Sequence, residues 1–406
     1  MKKVLIIEDD MSVGHAYRHR FQAEGFQVEL ALDGESGLKA VKRFKPDAVV
    51  LDLMLPKLNG LEVLKGVRAD AATKSLPVVV LSNAYLSTPV QEAWKAGANQ
   101  CMIKASCTPR QLIDVVNRLC QNPAANPIAA APKLKGGPNP VAPAPEPSPS
   151  NSRPPAAAEE DANFQAGLRQ NFLKGGQEQM AQLRGLLQSF IKSEGHSTRL
   201  PRLFALYRKL HSLTSNSAVA GLTDFAKMSS ALEALLGELY EKPKSINASA
   251  MRTVAHTVDF LAVLLARNDP PYPENTAEPN ILVVDDEALS RRAVIFALDK
   301  AQLKCVGVED PKAALTLLAE NRFDLIFLDV DMPGMNGFEL CTRLRALPTQ
   351  ARTPVVFVTG LTDFESRARS TLSGGNDLIA KPFLFMELAV KALTHVLRGQ
   401  LGLNRN

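Results

Sequence analysis

One pattern occurs twice in this chain, at a constant spacing of 277 residues and without a gap. In both copies an apolar run ends in an aspartate, Asp52 in the first and Asp329 in the second, and a proline and a glycine follow at equal distances. The other pairs in the same register are Glu8 with Asp285, Asp9 with Asp286, Pro77 with Pro354, Ser82 with Thr359, Gly97 with Gly374, and Lys104 with Lys381. Because a chance match would not keep so many positions in register, the sequence predicts one structural unit that is present twice.

Each copy alternates short apolar runs with amphipathic segments. In the first copy the predicted strands lie near Val4–Ile7, Gln27–Leu30, Ala48–Leu51, Val78–Leu81 and Gln100–Ile103. Strands that alternate with helices of such lengths form a parallel sheet with helices on both faces. The sequence therefore predicts two α/β domains, each a doubly wound (βα)5 sheet, at residues 1–121 and 280–400.

The region between the two copies changes character twice. Residues 122–161 are rich in proline and alanine, which favours a semi-extended linker, and residues 269–279 form a shorter proline-containing linker. Between these linkers, residues 162–268 carry apolar residues at helical spacing without strand-like alternation. Four helices fit this pattern, at roughly 163–193, 198–215, 219–239 and 247–267. Such a unit is expected to pack as an all-α four-helix bundle.

Acidic side chains follow the first and third predicted strands of each copy. They are Glu8, Asp9 and Asp52 in the first copy and Asp285, Asp286 and Asp329 in the second. The carboxyl ends of parallel strands meet at one edge of a sheet, where ligands bind, so these acids should come together. Close carboxylates raise one another's pKa and repel unless a cation lies between them. A hard divalent ion with oxygen ligands, Mg²⁺, fits that demand.

A hydroxyl and an ammonium group are predicted at the same edge. Ser82 and Thr359 end the fourth strand of their copies, and Lys104 and Lys381 end the fifth. A metal ion, a hydroxyl and a cation around one point are what phosphoryl transfer requires. The residues thus predict phosphoryl-transfer chemistry at the two repeated aspartates.

Two other interpretations of the aspartates are weaker. A lone aspartate after a strand can simply cap or turn the chain, but it would not keep register with the other paired positions. The run Asp329-Val330-Asp331 also mimics the Asp-x-Asp nucleophile of haloacid-dehalogenase-type phosphatases. Met54 stands in the place of Asp331 in the first copy, and an acid pair precedes the motif on an earlier strand, so this enzyme class is rejected.

The repeated motifs are specific enough to indicate a family. They are VLIIEDD, VLDLMLPKLNG and VVVLSNA in the first copy, and ILVVDDE, FLDVDMPGMNG, VVFVTGL and LIAKPF in the second. These motifs closely resemble the receiver domain of bacterial two-component response regulators, over about 120 residues in each copy. The resemblance implies a flavodoxin-like fold, phosphorylation of Asp52 and Asp329 by transfer from a histidine, and Mg²⁺ bound by the acid pairs. It also implies that the phosphoryl group contacts Ser82, Lys104, Thr359 and Lys381.

The copies depart from the receiver pattern at two places. Receivers usually carry an aromatic switch residue three positions before the lysine, where this chain has Cys101 and Leu378. The aromatic-rotation form of the output switch is therefore not expected. The first copy also has Ala105 after its lysine, in place of the usual proline, so that loop is expected to differ in shape.

The middle region carries a second resemblance. In RKLHSLTSNSAVAGL, His211 is followed ten residues later by Gly221, which is similar to the histidine phosphotransfer (HPt) domain of chemotaxis-type kinases. The family pattern is His-x-x-Lys-Gly, whereas this chain has Thr214 and Ser215. Arg208, three residues before the histidine and on the same helical face, could supply the missing positive charge. An exposed neutral imidazole at His211 would be a competent phosphoryl acceptor, and the alternative is a degenerate bundle used only for docking.

Composition limits the remaining possibilities. The net charge is +5 without a basic stripe, so direct binding to nucleic acid is not expected. Five cysteines without Cys-x-x-Cys spacing indicate reduced thiols, and neither a secretory signal nor an apolar stretch of about 18 residues is evident. The sequence predicts a cytoplasmic protein without membrane insertion. His15 and His19 have i, i+4 spacing, but with no third ligand marked a solvated helix face is favoured over a metal site.

The sequence favours a phosphorelay protein in which receiver aspartates accept phosphoryl groups and His211 can relay them. Flexible linkers would help, because tethering raises one domain's local concentration near another. No ATP-binding glycine motif and no C-terminal output domain is evident, so a histidine kinase or phosphotransfer protein is expected as donor and another protein as effector. The chain is not expected to be an enzyme beyond receiver-catalysed self-phosphorylation and autodephosphorylation. The alternatives are a phosphorylation-dependent scaffold or a phosphate sink, both with an inert middle domain.

Overall fold

The computed structural model describes residues 1–83, 88–121, 155–193, 195–267, 278–360 and 370–403. The chain folds into two compact units, each made of two segments. The first unit comprises residues 1–177 and 212–226, and the second comprises residues 178–211 and 227–406. Most of the predicted linkers, at residues 122–154 and 268–277, lies outside the described residues.

The first unit contains a five-stranded parallel sheet in the order β2-β1-β3-β4-β5. Its strands are β1 (Lys3–Ile7), β2 (Gln27–Ala31), β3 (Ala48–Asp52), β4 (Val78–Ser82) and β5 (Gln100–Ile103). The central strand β3 is buried along its whole length, as expected for a parallel sheet that is covered on both faces. This strand order is the flavodoxin-like one, so the predicted fold class of the repeat is confirmed.

Five helices cover that sheet: α1 (Met11–Ala23), α2 (Gly34–Phe44), α3 (Gly60–Ala69), α4 (Thr88–Lys95) and α5 (Pro109–Gln121). Local capping fixes several of the turns between strand and helix. The Asp33 carboxylate accepts from the backbone N–H of Ser36 to begin α2, and the Asn59 side chain accepts from the N–H of Glu62 to begin α3. Such caps satisfy backbone donors that the first helical turn leaves without partners.

The second unit contains a sheet with the same topology, in the order β10-β9-β8-β6-β7. Its strands are β6 (Ile281–Val284), β7 (Cys305–Val308), β8 (Leu325–Asp329), β9 (Val355–Thr359) and β10 (Asp377–Ala380). The helices described around it are α10 (Ala288–Lys300), α11 (Pro311–Glu320), α12 (Gly337–Arg345) and α13 (Phe385–Gln400). The internal repeat of the sequence is therefore a repeat of the fold.

The middle region contains four long helices: α6 (Pro155–Ile191), α7 (His196–Val219), α8 (Thr223–Glu241) and α9 (Ala248–Arg267). Four helices were predicted, and α8 and α9 begin and end within a few residues of the expected positions. Helix α6 begins about eight residues earlier than predicted, so residues 155–161 are helical and not semi-extended. These helices are divided between the two compact units, and the separate four-helix bundle at residues 162–268 stays a prediction.

The sequence was expected to contain no segment that could span a membrane, and helix α9 differs from that expectation. By length and composition alone it is long and apolar enough to cross a bilayer. A single such helix is weak evidence, because the core helix of a globular domain meets the same criteria. Within its unit α9 packs along one face: Phe260 is buried, and the hydroxyls of Ser249 and Thr253 donate to Glu387 of α13 at 2.6 and 3.3 Å.

Candidate functional site

The acids of the first copy meet at the carboxyl edge of its sheet. Glu8 and Asp9 directly follow β1, and Asp52 is the last residue of the neighbouring strand β3, in which Leu51 pairs with Ile7. Carboxylate oxygens of these three residues lie within 4.8 Å of one another. The structure thus brings together the three side chains that the sequence predicted as a cluster.

Lys104 closes this pocket from the end of β5. Its Nζ lies 2.7 Å from Asp52 Oδ2 and 2.7 Å from Glu8 Oε2. The ammonium group has no exposed surface. Burial lowers the pKa of Lys104, but the nearby charges of Asp52 and Glu8 outweigh burial and hold the pKa above its ordinary value. Lys104 is therefore a permanent cation that contacts the predicted acceptor.

A glycine places the loop beneath the acceptor aspartate. The N–H of Gly60 donates to the carbonyl of Leu53 at 3.0 Å, and a Cβ at this position would overlap the carbonyl oxygen of Asp52. Gly337 in the second copy stands in the same relation to Asp329. The repeated glycine is needed because the start of the following helix lies directly against the strand that ends in the acid.

The second copy builds the same cluster. Ligand oxygens of Asp285, Asp286 and Asp329 also lie within 4.8 Å of one another. Lys381 Nζ lies 2.8 Å from Asp329 Oδ1 and 3.2 Å from Asp285 Oδ2. Burial raises the pKa of Asp329, and the hydrogen bond from Lys381 opposes that rise. For Lys381 burial lowers the pKa, but the contacts with Asp329 and Asp285 raise it above the ordinary value.

The predicted hydroxyl residues lie on the strand next to each acceptor. Pairing places Leu81 opposite Asp52 and Val358 opposite Asp329, so Ser82 and Thr359 are one residue further toward the same edge. Ser82 is partly buried and Thr359 is buried. Both residues end their strands, at the same edge of the sheet as the acid clusters.

The donor set of each pocket fits a hard divalent cation. Three carboxylates and one ammonium leave an excess of two negative charges in each copy. Their ligands are all oxygen atoms, which Mg²⁺ prefers over nitrogen and sulfur, and their separations are short enough for one ion. In the described part of the chain, groups of three or more potential ligand side chains occur at these two triads, and neither includes His15 or His19.

The two pockets differ in how far they are covered. The Lys104 side chain is 0% exposed and that of Asp52 0%, whereas Lys381 is 24% exposed and Asp329 6%. Residues that the sequence did not single out as site residues also lie at the pocket of the first copy: Asp10, Asn83 and, from α7, Ser212, Ser215 and Asn216. Asn216 donates to Asp10 at 2.5 Å, and Asn83 donates to Ser215 at 3.2 Å. The repeat could not indicate these contacts, because they join segments more than 100 residues apart.

His211 is less accessible than the sequence suggested. It was expected on an exposed helical face, but the residue is 8% exposed. Its Nδ1 lies 2.8 Å from Glu233 Oε1 on α8, and its ring stacks on that of Tyr207. Arg208, by contrast, is exposed. The expectation of an exposed imidazole was wrong, because α7 turns this residue toward neighbouring helix α8.

The structure shows the surroundings of the positions that depart from the receiver pattern. Cys101 is buried in β5, and burial raises the pKa of its thiol to about 12, so it is a core residue. Leu378, its counterpart in β10, is partly buried. The loops after the two lysines differ as expected: residues Lys104–Ser106 form a 3₁₀ turn, whereas Lys381 precedes a cis proline.

Comparisons with known proteins agree with this geometry. The family model for the response regulator receiver domain matches residues 4–117 and 281–393. Protein RcaC of Microchaete diplosiphon is 33% identical over 147 residues, which cover 36% of this chain and 22% of that protein. The phosphate regulon transcriptional regulatory protein PhoB of Pseudomonas aeruginosa is 34% identical over 118 residues, which cover 29% of this chain and 51% of that protein. The chain therefore spans about half or less of the length of these two relatives.

Among solved structures, the chemotaxis protein CheY4 of Vibrio cholerae is 32% identical, with 30% of this chain and 99% of that chain covered and a TM-score of 0.28. The two family matches together span more than half of the sequence. This chain therefore belongs to the response regulator receiver domain family and contains that domain twice.

Proposed function

We propose that this protein accepts phosphoryl groups on Asp52 and Asp329 and transmits that state to a downstream effector protein. The observation that supports this most directly is that each aspartate shares one pocket with two further acids and a lysine. The donor is a phosphohistidine on a histidine kinase or phosphotransfer protein. We place the protein in the cytoplasm, with no direct contact to nucleic acid and no insertion into a membrane.

The chain's own residues perform the acceptor half of the transfer. A carboxylate oxygen of the aspartate attacks phosphorus, the phosphorus–nitrogen bond of the donor breaks, and the imidazole leaves with the bonding electrons and takes up a proton. Lys104 and Lys381 already donate to the acceptor carboxylates, so the same ammonium groups can hold a phosphoryl oxygen as negative charge develops there. Ser82 and Thr359, which end the neighbouring strands, would donate a hydroxyl hydrogen to a second oxygen.

Mg²⁺ is the proposed cofactor of both pockets. Glu8, Asp9 and Asp52 would hold it in the first copy, and Asp285, Asp286 and Asp329 in the second. When bound, it would neutralise charge on the phosphoryl oxygens and on the acids themselves. We infer no enzymatic activity beyond self-phosphorylation and the hydrolysis of the aspartyl phosphate, in which water attacks phosphorus and the carboxylate is restored.

Radiolabelled acetyl phosphate with Mg²⁺ tests the acceptor assignment on the full chain. We expect label in the wild type and in the Asp52→Asn and Asp329→Asn single variants, and none in the double variant. Label that is retained in a single variant and is released by alkali or hydroxylamine identifies the remaining aspartate as the acceptor. Undiminished labelling of the double variant would reject both aspartates as acceptors.

We further propose that His211 can relay phosphoryl groups in an Asp-to-His step. The contact between its Nδ1 and the Glu233 carboxylate, at 2.8 Å, favours the tautomer with the hydrogen on Nδ1, which leaves the Nε2 lone pair as the nucleophile. Arg208 could pair with the resulting phosphate. Because His211 is 8% exposed, the relay requires a local opening that admits the receiver.

The burial of His211 and the absence of the family lysine favour the second candidate, in which the middle helices are an inert scaffold. The variant His211→Gln distinguishes the two functions, with Glu233→Gln as a variant that leaves the imidazole in place. A relay predicts that His211→Gln abolishes base-stable, acid-labile phosphohistidine and slows transfer to a cognate histidine protein. Unchanged transfer supports the scaffold, and a short aspartyl phosphate lifetime in that case indicates a phosphate sink.

A further inference from the structure

The acceptor pocket of the first copy is covered by a segment of the same chain. Residues Ser212–Asn216, near the end of α7, belong to the same compact unit as that copy. We refer to them as the covering segment. Ser215 is 1% exposed, and its hydroxyl lies between the pocket lysine and Asn83, at 3.4 Å from Lys104 Nζ and 3.2 Å from Asn83 Nδ2.

A second set of polar contacts holds the covering segment at the edge of the pocket. The hydroxyl of Ser212 donates to Asp10 Oδ2 at 3.0 Å, and Asn216 Nδ2 donates to the same oxygen at 2.5 Å. Asp10 also caps α1 by accepting from the N–H of Ser12 at 3.0 Å. Hydrogen bonds to a charged acceptor are stronger than those between neutral groups, so Asp10 is an effective anchor.

Apolar contacts next to the segment stabilise the same arrangement. Val219, one turn further along α7, is 7% exposed and belongs to the apolar core of the first copy. Phe164 and Leu168 of α6 pack against that core, and the Phe164 ring stacks on His19 of α1 at 4.1 Å between centroids. The covering segment is therefore part of a packed interface and not an isolated polar contact.

In this state the covering segment occupies a hydrogen-bonding position of the pocket lysine, and the acceptor aspartate is shielded from solvent. A lysine ammonium has three hydrogens to donate, and Lys104 Nζ lies within hydrogen-bonding distance of three side chains, those of Glu8, Asp52 and Ser215. A phosphoryl oxygen on Asp52 would have to replace Ser215 as the third partner. In addition, the side chains of Asp52 and Lys104 have no exposed surface through which a donor could approach.

The second copy provides a matched comparison within the same protein. The positions that correspond to Asp10 and Asn83 are occupied by Glu287 and Gly360, so one anchor is lengthened and the other has no side chain. Lys381 is 24% exposed, and its described partners are the two aspartates Asp285 and Asp329. The covering contacts thus depend on residues that are particular to the first copy.

We propose that the covering segment is an internal inhibitor of Asp52 phosphorylation, so that the first receiver accepts a phosphoryl group only after residues 212–216 leave the pocket. This inference rests on the proposed function, since it assumes that Asp52 is an acceptor. By thermodynamic linkage, a phosphoryl group on Asp52 must in turn favour the state in which the segment is released. The second receiver has no such requirement, and Asp329 accepts phosphoryl groups independently of the segment.

Single-acceptor backgrounds of the full chain separate the two pockets. Asp329→Asn reports on Asp52 alone, and Asp52→Asn reports on Asp329 alone, with acetyl phosphate and Mg²⁺ as the probe. We expect the initial labelling rate at Asp52 to be about tenfold lower than at Asp329, the factor that corresponds to losing charge-assisted hydrogen bonds. Adding Ser212→Ala with Asn216→Ala to the Asp329→Asn background should raise that rate by about the same factor.

A control variant and two contradicting results complete the labelling experiment. Thr198→Ala, an exposed position on the same helix, should leave the Asp52 rate unchanged. Equal rates at the two aspartates, or no increase in a double alanine variant whose thermal unfolding is normal, would overturn the inference while the proposed function stands. If Asp52 takes no label in any variant while Asp329 does, the acceptor assignment of the first copy fails and the inference fails with it.

Hydrogen–deuterium exchange tests release of the unaltered covering segment, and it does not require the double alanine variant to fold. In the Asp329→Asn background, hydrogen–deuterium exchange of the peptide that contains residues 212–216 should increase when Asp52 is phosphorylated. The same peptide in the Asp52→Asn background should not respond when Asp329 is phosphorylated. Unchanged exchange in the first case would contradict release of the segment.

Discussion

At the scale of single residues, the second receiver contains a charged network outside its acceptor pocket. Asp377 in β10 contacts Lys391 Nζ of α13 at 2.6 Å and lies 3.8 Å from His395 Nε2. Burial raises the pKa of Asp377, but His395 and Lys391 outweigh burial and hold the pKa well below its ordinary value of 3.8. The folded state therefore favours the ionised carboxylate more than the unfolded chain does.

Because of its lowered pKa, Asp377 should make the stability of the second unit depend on pH. The pKa of Asp377 is lower in the folded protein than in the unfolded chain. The ionised carboxylate therefore contributes its full stabilisation at pH values above the pKa of the unfolded chain. That stabilisation is lost as the pH falls toward the pKa of the folded protein. We expect Asp377→Asn to lower the free energy of unfolding of the second unit by about 2 kcal/mol near pH 7, because the buried Lys391 loses its counter-charge. The difference from wild type should shrink below about pH 4.

Urea unfolding followed by circular dichroism across this pH range measures the effect. Glu320→Gln, an exposed carboxylate at the end of α11, serves as the control and should change stability little at any pH. A difference between Asp377→Asn and wild type that stayed constant into the acid range would show that ionisation of Asp377 is not its source.

Residue types and spacing were sufficient to predict the acids and lysines of both pockets. These residues end strands whose order follows from the alternating pattern, so position in the sequence translates directly into position in space. Asp10, Asn83 and Ser215 could not be predicted in the same way. Their contacts depend on where a distant helix packs, and nothing in the local pattern near Asn83 reports a partner 132 residues away.

At the scale of elements, the turn from each acid-bearing strand into the next helix imposes a steric requirement. A Cβ at Gly60 or at Gly337 would overlap the carbonyl oxygen of the acceptor aspartate. We expect Gly60→Ala and Gly337→Ala each to destabilise its own unit by about 2 kcal/mol or more, because backbone atoms cannot yield as a flexible side chain can. Labelling of the adjacent aspartate should fall as well.

Glycines inside α6 provide matched controls for these two variants. At Gly167 and Gly185 an added Cβ meets nothing within 4 Å. Alanine at either position should stabilise the helix by about 0.5–1 kcal/mol, since glycine is unfavourable in a helix interior. Thermal unfolding of all four variants gives the comparison, and equal behaviour of the loop and helix glycines would contradict the steric argument.

The start of α6 shows why one element boundary was predicted incorrectly. The sequence PPAAAEED was grouped with the proline-rich linker, but Pro155 occupies the first helical position, where a missing N–H costs nothing. The alanines and glutamates that follow are strong helix formers. Composition averaged over the linker concealed this local propensity, whereas the strands, with clear apolar runs, were predicted within one residue at each end.

At the scale of the whole molecule, the symmetric sequence repeat does not produce symmetric sites. Both copies have the same strand order and the same acid and lysine positions. Their acceptor pockets nevertheless differ in cover, because α7 contributes residues to one of them. One acceptor of such a chain can be accessible while the other is covered. This difference in accessibility arises from helices outside the repeat.

The proposed metal sites predict a ligand effect that each unit should show separately. A ligand that binds only the folded state stabilises it, by about 2.7 kcal/mol at a free concentration of 100 times the dissociation constant. We expect Mg²⁺ to raise the stability of both units and EDTA to reverse the effect and abolish labelling by acetyl phosphate. The variant Asp9→Asn should remove the stabilisation from the first unit alone, and Asp286→Asn from the second unit alone.

The single tryptophan of the chain makes this separation measurable. Trp94 lies on α4 in the first unit, so its fluorescence reports unfolding of that unit, while circular dichroism reports both. Mg²⁺ should therefore shift the fluorescence transition in wild type and in Asp286→Asn but not in Asp9→Asn. A shift that survived Asp9→Asn, or that disappeared in Asp286→Asn, would mean that the ion acts elsewhere than at the acid triads. The repeat places one acid triad in each unit. Two separate metal sites therefore require that Asp9→Asn removes the Mg²⁺-dependent shift of the first unit alone and Asp286→Asn that of the second unit alone.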